Sequence, residues 1–345
     1  MSFQILLSQD FVEKQPQLRN LVLEEFTGIH CGNCPGGEQK AAELAETYPG
    51  RVVIIAIHEG YYAIPNGNEP DFRTKWGTAI LNSAAVTGFP SASINRMRFP
   101  GTNVFPYYTQ TKGGLAISVS GFAPAAEDSV LNGTYSPLNI GAKIKWNNDT
   151  REIEIETETY FTSDIPGGVK LNIALLESHV WGPQTGASNP ANYEHNHILR
   201  ELITGQWGEL ISASQKDSIF MKTYKFTVSP KFQILNCDLA IYATQANNDR
   251  IFTGNLYQII PPNSKLTNLG GNIIGTKSES QKPDTLSLKN VSDKQITFKI
   301  AITKSTDTPA DWSAVLNGGS DEIILDPNEI KNINLNINTG ATKGV

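Results

Sequence analysis

The sequence predicts a multidomain chain of α/β plus all-β class: an α/β part first, then a β-sandwich, then a small β-module. Three observations predict it. Strand and helix patterns alternate from residue 21 to residue 96, and from about residue 115 the texture changes to short alternating strands divided by turns. A stretch rich in Gly, Ser, Lys and Pro then follows Pro261-Pro262 and runs to Asp284. At 345 residues the chain is long enough for two or three domains. The expected boundaries are 1–114, 115–262, a linker at 263–284, and an Ig-like β-module at 285–345, whole or truncated.

In chain order, the residues up to Gln17 are polar, carry Pro16, and read as a leader or an edge segment. LVLEEF, residues 21–26, is a short apolar run broken only by Glu24 and Glu25, which fits a buried strand. Pro35 suits a first helical turn, and Ala41, Ala42, Leu44, Ala45 and Tyr48 recur at helical spacing until Pro49-Gly50 stops the helix. RVVIIAIHEG, residues 51–60, is a β-branched run of the kind buried on both faces. A Pro-, Gly- and Asn-rich loop follows at 61–70, then a helix at 71–84, then a short strand in VTGFPSASINR. Farther on, REIEIETETYF alternates without a break, so Glu152, Glu154, Glu156 and Glu158 are expected on a solvated face, turned from 144–146 by Asn147-Asn148-Asp149. Strands are also expected at 169–176, 220–228, 236–244 and 251–260, and in the last module at 285–290, 295–302, 322–325 and 330–337.

Charge and composition narrow the function. A net charge of −6 gives no basic footprint for nucleic acid and disfavours anionic membrane surfaces. No uninterrupted apolar run is long enough to span a bilayer, and MSFQILLSQD lacks the basic start and long apolar run of a secretory signal. A mature exported chain begins in the same way. No cofactor is expected: no G-x-x-x-x-G-K-[ST] phosphate loop occurs, nor a G-x-S-x-G nucleophile elbow.

Three cysteines are too few to staple a fold of this size. Two of them, Cys31 and Cys34, frame Gly32-Asn33 directly behind the first strand. A thiol at a helix N-terminus meets unpaired N–H groups and the positive end of the dipole, which favour the thiolate. Cys31 is then the attacking sulfur, and Cys34, one turn inside, can resolve a mixed disulfide. Half a zinc site with His30 and His58, or two unreactive thiols, are the other readings of the same pair.

Three separated features make this part resemble a thioredoxin-like domain. Glu25-Phe26 stands six positions before Cys31, where thioredoxins have a buried acid and an aromatic residue; the C-x-x-C itself follows; and Gly88-Phe89-Pro90-Ser91 matches the segment with a cis-proline that faces the disulfide. The spacing from Cys31 to Pro90, 59 residues, exceeds that of a minimal thioredoxin, and the excess lies in the loop at 61–72. LEEFTGIHCGNCP and YEHNHILRELITGQWG further resemble the outer membrane protein 28 family of Bacteroidetes-type bacteria. That resemblance covers residues 19–260 and implies a protein of the cell envelope, at the periplasm or outer-membrane surface, with peripheral or lipid-anchored attachment. The thioredoxin resemblance implies roles: Glu25 accepts the proton of Cys34, Pro90 is cis, and Phe89 offers its backbone to a substrate peptide, with His30, Gly32 and Asn33 beside it. His30 and Asn33 depart from the tryptophan and proline usual at those places in thioredoxins.

Other residues carry competing readings. His195 and His197 sit at alternate positions of an extended segment and could share a metal with Glu194 or His179, or serve as loop hydrogen-bonders. Cys237, in phase with Leu239 and Ile241, reads as a buried structural thiol. Trp181, Tyr193 and Trp207 could line a groove or pack in a core. Two functions follow. The first is an envelope thiol–disulfide oxidoreductase acting on protein or peptide thiols and disulfides of exported proteins. The second is a cell-surface binding or adhesion protein with the α/β part as scaffold.

Overall fold

In a computed structural model of the chain, the apolar runs near the N-terminus form the middle of a large mixed sheet. The structure describes residues 11–99, 115–147, 150–259, 265–268, 281–290, 295–299, 311, 313–316, 322–326 and 329–338. Asn148-Asp149, Pro261-Pro262, residues 269–280 of the expected linker and 300–302 of an expected strand lie outside them.

The elements begin with β1 (Leu21–Thr27), α1 (Cys34–Thr47), β2 (Val52–His58), α2 (Gly77–Ala84), β3 (Ser91–Ile94), β4 (Ala116–Ser118) and α3 (Phe122–Ala126). There follow β5 (Leu138–Trp146), β6 (Glu152–Phe161), β7 (Val169–Glu177), β8 (Val180–Gly182), β9 (Tyr193–His195) and β10 (Ile198–Leu202). Then come β11 (Glu209–Ile211), β12 (Ile219–Thr227), β13 (Cys237–Gln245) and β14 (Ile251–Gln258).

β1 pairs in parallel with β2 and antiparallel with β3, which pairs antiparallel with β4. Every residue of β1 is buried. Its two faces meet different cores, as the period of two requires. Leu21 and Leu23 pack with Ala41 and Leu44 of α1 and with Phe122 and Ala125 of α3. Val22 and Phe26 pack with Ile80 and Ala84 of α2. That α2 starts at Gly77 and not at Asp71 has a local cause. The Asp71 carboxylate accepts the Arg73 backbone N–H (3.0 Å) and both arms of its guanidinium (2.9 and 2.7 Å), a side-chain link that competes with helix.

The boundary expected at 114/115 falls inside one sheet and one compact unit, Met1–Ile259. β4, beyond it, borders β3, while β10 joins β2 through Ile198 and Ala56, and the sheet continues through β7 and β13 to β14. β10 thereby covers an edge of β2 that would otherwise be left to pair with other chains. β7 and β13 are buried on both faces. Leu171, Ile173, Leu239 and Ile241 face a second sheet, β12-β6-β5, with Ile153 and Ile155, and Ala174, Leu176, Ala240 and Tyr242 face the core of Phe26.

Of the glutamates expected on a solvated face, Glu158 is buried. Its carboxylate accepts the backbone N–H groups of Phe11 (2.7 Å) and Val12 (2.9 Å), because the leading segment crosses β6. Glu152, Glu154 and Glu156 keep the expected ladder, paired with Lys145 and Lys225 of the flanking strands.

The second unit, Ile260–Val345, contains β15 (Lys265–Asn268), β16 (Gln281–Lys289), β17 (Ile296–Lys299), β18 (Ser313–Leu316), β19 (Glu322–Leu325) and β20 (Ile330–Asn338). Four of them form the sheet β15-β16-β20-β18, and β17 pairs β19. Its described core includes Leu288, Ile323, Leu325 and Ile333. β15 and the first residues of β16 occupy positions expected as linker, because a composition rich in Lys, Ser and Pro still pairs where a partner strand satisfies its backbone.

One polar interaction lies deep in the first unit. Glu24, on the face of Val22 and Phe26, is paired with Arg96 at 2.5 to 3.0 Å and accepts the Ser93 hydroxyl at 2.8 Å. Both side chains are almost wholly buried, and the guanidinium lies over the rings of Trp207 (5.3 Å) and Tyr242 (5.8 Å). Removing one member leaves an uncompensated buried charge. Arg96→Met is expected to cost roughly 3–5 kcal/mol in urea unfolding; a loss under about 1 kcal/mol would show that Glu24 finds another partner or takes up a proton without penalty.

Candidate functional site

The chain leaves β1 into a turn fixed from two sides. Gly28 passes so close to the loop at 61–63 that a Cβ there would lie 2.5 Å from the Tyr62 carbonyl carbon, and the His30 N–H donates to the Tyr62 carbonyl at 2.9 Å. The Cys31 N–H donates to Gly28 O (3.0 Å) and the Cys34 N–H to Cys31 O (3.2 Å), which winds the chain into α1. Cys31 and Cys34 are joined in a disulfide with their Cα atoms 5.4 Å apart. Cys31 is 3% exposed and Cys34 1%, although Gly32 and Asn33 between them are exposed. His30 is engaged by the inserted loop, its Nε2 lying 2.9 Å from Glu69 Oε2 and 3.1 Å from Asn66 Nδ2.

Glu25, one residue on from the paired Glu24, turns to the opposite face and towards α1. Its Oε1 is buried and has no hydrogen-bond partner among the described residues. Burial, with the neighbouring Glu38 second, holds its carboxyl well above the usual range. Gly37 marks the meeting point: a Cβ there would stand 2.7 Å from Pro90 Cβ and 3.0 Å from Glu25 Oε1. The Phe89–Pro90 peptide bond is cis. Disulfide helix, acid and proline therefore converge on one glycine. The Phe89 backbone N–H and C=O make no hydrogen bond among the described residues.

Three groups were not singled out from the sequence. Glu38, one turn beyond Cys34, accepts the Tyr193 hydroxyl at 2.8 Å, and burial is the main cause that pushes its carboxyl up to about 7. Nothing in the sequence links Glu38 to a residue 155 positions away. Gly37 did leave a signal, since a glycine inside a helix is costly unless something approaches closely. The third group of contacts comes from the connection between β8 and β9. The Gln184 side-chain amide donates to Cys31 O (3.0 Å) and Gly28 O (3.3 Å), and the Thr185 N–H donates to Ile29 O (2.8 Å).

His195 and His197 are not held side by side. His197 has a φ of 54°, which breaks the alternation that would have put it beside His195. His195 is buried in edge-to-face contact with His58 (5.5 Å), Phe72 (4.8 Å) and Tyr193 (5.1 Å), its Nε2 3.2 Å from Pro183 O. Burial pushes it down to about 4. His58 is also buried and held well below its usual value, chiefly by desolvation. His179 pairs with Glu194 at 2.6 Å. Among the described residues no three His, Cys, Asp or Glu side chains converge as a metal site. Trp181 is 56% exposed, Tyr193 is committed to Glu38, and Trp207 packs beside Arg96. Cys237 is buried, and its thiol lies 3.4 Å from Gln233 O.

Fold and site together define a class: a mixed-sheet α/β and β protein with a buried C-x-x-C disulfide where a strand turns into a helix. The profile of the outer membrane protein Omp28 family matches residues 78–255, just over half of the chain, and the chain belongs to that family. It is accordingly a protein of the bacterial cell envelope. Among solved structures, HBP35 of Porphyromonas gingivalis has a similar fold, with a TM-score of 0.55 and 19% identity over 93% of this chain and 99% of that one. A domain of the outer membrane lipoprotein Omp28 from the same organism matches 36% of this chain and 90% of its own, at 17% identity and a TM-score of 0.27. No curated protein sequence matches significantly. No described helix is long and apolar enough to cross a membrane.

Two expectations test this geometry. Gly→Ala inside a helix ordinarily stabilises by about 1 kcal/mol, but Gly37→Ala is expected to destabilise by roughly 1–3 kcal/mol, since its Cβ must displace Pro90. A raised thermal midpoint for that variant would contradict the packing. The second concerns pH. Glu38 has a raised pKa, so its contribution to stability is complete below 4.5 and is lost as pH rises through about 7. Glu25, raised further by the same charge, acts in the same direction. Urea midpoints measured across that window should fall less with pH in Glu38→Gln than in the wild type; parallel curves would remove Glu38 from the cluster.

Proposed function

We propose that this chain is an envelope thiol–disulfide oxidoreductase acting on cysteines of exported proteins. One observation carries the reading: the Cys31–Cys34 disulfide opens α1, and a buried Glu25 carboxyl whose Oε1 has no partner among the described residues lies against Gly37 in the first turn of that helix. A stapling disulfide has no use for such an acid. A redox pair does, because each turnover moves a proton at the resolving sulfur. The strand order β2-β1-β3-β4, with the cysteines at the start of α1 and Pro90 before β3, supports reading this part as thioredoxin-like.

The chemistry is a two-electron exchange. A substrate thiolate attacks Cys31 Sγ, the Cys31–Cys34 bond breaks, and Cys34 leaves with the electron pair and takes the proton held by Glu25. A second substrate thiolate then attacks the substrate sulfur of the mixed disulfide. The substrate disulfide forms and Cys31 departs as a thiolate, stabilised by the N-terminus of α1. The same groups serve the reverse reaction, with Glu25 taking the proton of Cys34 before Cys34 resolves. Exposed Gly32 and Asn33, with the unpaired backbone of Phe89, offer an extended peptide its place beside the sulfurs. Peripheral or lipid-anchored attachment suits a member of this family.

The alternative, surface binding or adhesion, draws on Ile260–Val345, which forms a compact unit of its own. One experiment separates the two. Cys34→Ala protein is expected to trap exported proteins as mixed disulfides, and the wild-type couple to equilibrate with glutathione. A couple below about −300 mV that exchanges with nothing would mark a structural bridge, and full partner binding by a Cys31→Ser, Cys34→Ser variant would favour adhesion. Within the redox reading, Glu25→Gln should slow resolution by Cys34 on the order of 10²-fold and flatten its pH profile.

A further inference from the structure

Residues 183–192, which connect β8 to β9, leave the β-rich part of the first unit and lie on the cysteine turn. Three contacts seat them. The Thr185 N–H donates to Ile29 O at 2.8 Å, and the buried Gln184 amide donates to Cys31 O and Gly28 O at 3.0 and 3.3 Å. Gly186, at φ +85°, comes so near that a Cβ would fall on the Gly32 carbonyl oxygen. The segment is pinned at its far end, where the Tyr193 hydroxyl reaches Glu38 at 2.8 Å. On the opposite side the turn is held by the Tyr62 carbonyl. Cys31 is left 3% exposed.

A thiolate must approach Cys31 Sγ on the side away from Cys34, along the S–S axis. With the whole residue covered to this degree, the approach requires a neighbour to move. Thr185 and Gly186 are themselves exposed and sit by hydrogen bonds and close backbone contact, without an apolar anchor. Segments held in this way open at low cost compared with core strands.

We propose that residues 183–192 act as a strap that gates Cys31, shielding it when seated and lifting to admit the attacking group. The biological meaning of the gate rests on the redox reading of the pair, but the gate itself needs only the disulfide. Gln184 and Gly186 are its positioning residues.

The test is reduction of the full chain by a water-soluble phosphine. Phosphorus attacks Cys31 Sγ, Cys34 leaves as a thiolate, and water then converts the thiophosphonium to phosphine oxide, releasing the Cys31 thiol. With a gate, the wild-type rate reaches a plateau at high phosphine, set by opening. In Gly186→Ala, whose strap cannot seat, and in the milder Gln184→Ala, the rate should stay linear and exceed the plateau at least about tenfold, with near-ultraviolet circular dichroism reporting that each variant is folded. Hydrogen exchange at the Thr185 amide should give an opening rate equal to the plateau. A linear wild-type response with the slope of the variants overturns the gate. A gated disulfide that exchanges with no protein would remove the oxidoreductase reading and leave the strap standing; an ungated couple that exchanges freely does the reverse.

Discussion

Two adjacent glutamates on one strand govern this structure. β1 is buried on both faces, so the alternation of side chains sends Glu24 and Glu25 into different cores, and a buried charge must be met or given up. Glu24 meets Arg96 and Ser93. Glu25 meets Gly37, Pro90 and the start of α1, without a cation, and is held towards its neutral form. The first arrangement ties β1 to the segment after β3 and to the rings of β13 and Trp207. The second sets a carboxyl held towards its neutral form against the first turn of α1. Moving the register of β1 by one residue would exchange the two faces and abolish both.

The cysteines lie upstream of the stretch that the family profile matches, yet the matched stretch carries most of what holds them. Pro90, Arg96, Gln184, Gly186 and Tyr193 all fall within residues 78–255. Gln184, Gly186 and Tyr193 reach the turn because β10 extends the sheet from the edge of β2, which brings the β8–β9 connection over the end of β1, while Pro90 reaches it from β3 on the other side. The large β-rich region is thus joined to the cysteine turn by hydrogen bonds as well as by sequence.

Much of this was legible in the chain. β2 announces itself by an unbroken apolar run, β1 by one broken only by Glu24 and Glu25, and α1 by Pro35 and helical spacing, because burial on both faces leaves a strand no solvent-facing positions to alternate. The cysteine turn, Glu25 and Pro90 were readable as a resemblance, and the structure sets them around one glycine. Other features had no local signature. β8, β9 and β11 are three residues each, too short to show a period, and they are fixed by partners far along the chain. Glu158 lay on the expected face of β6, but periodicity tells which side a residue takes and not what covers that side. His195 and His197 fail for the reason that alternation holds only while the backbone stays extended. The linker was read from composition, whereas strand pairing depends on backbone groups that composition does not report.

The third cysteine bears on the compartment. In an oxidising envelope an odd thiol endangers a neighbouring disulfide, because its thiolate can attack and leave the chain cross-paired. Burial pushes Cys237 up to about 12, so at neutral pH it stays a thiol. Within this chain Cys31 and Cys34 are consequently left to each other. The bond between them is insulated from internal scrambling by the same core that keeps β13 in place.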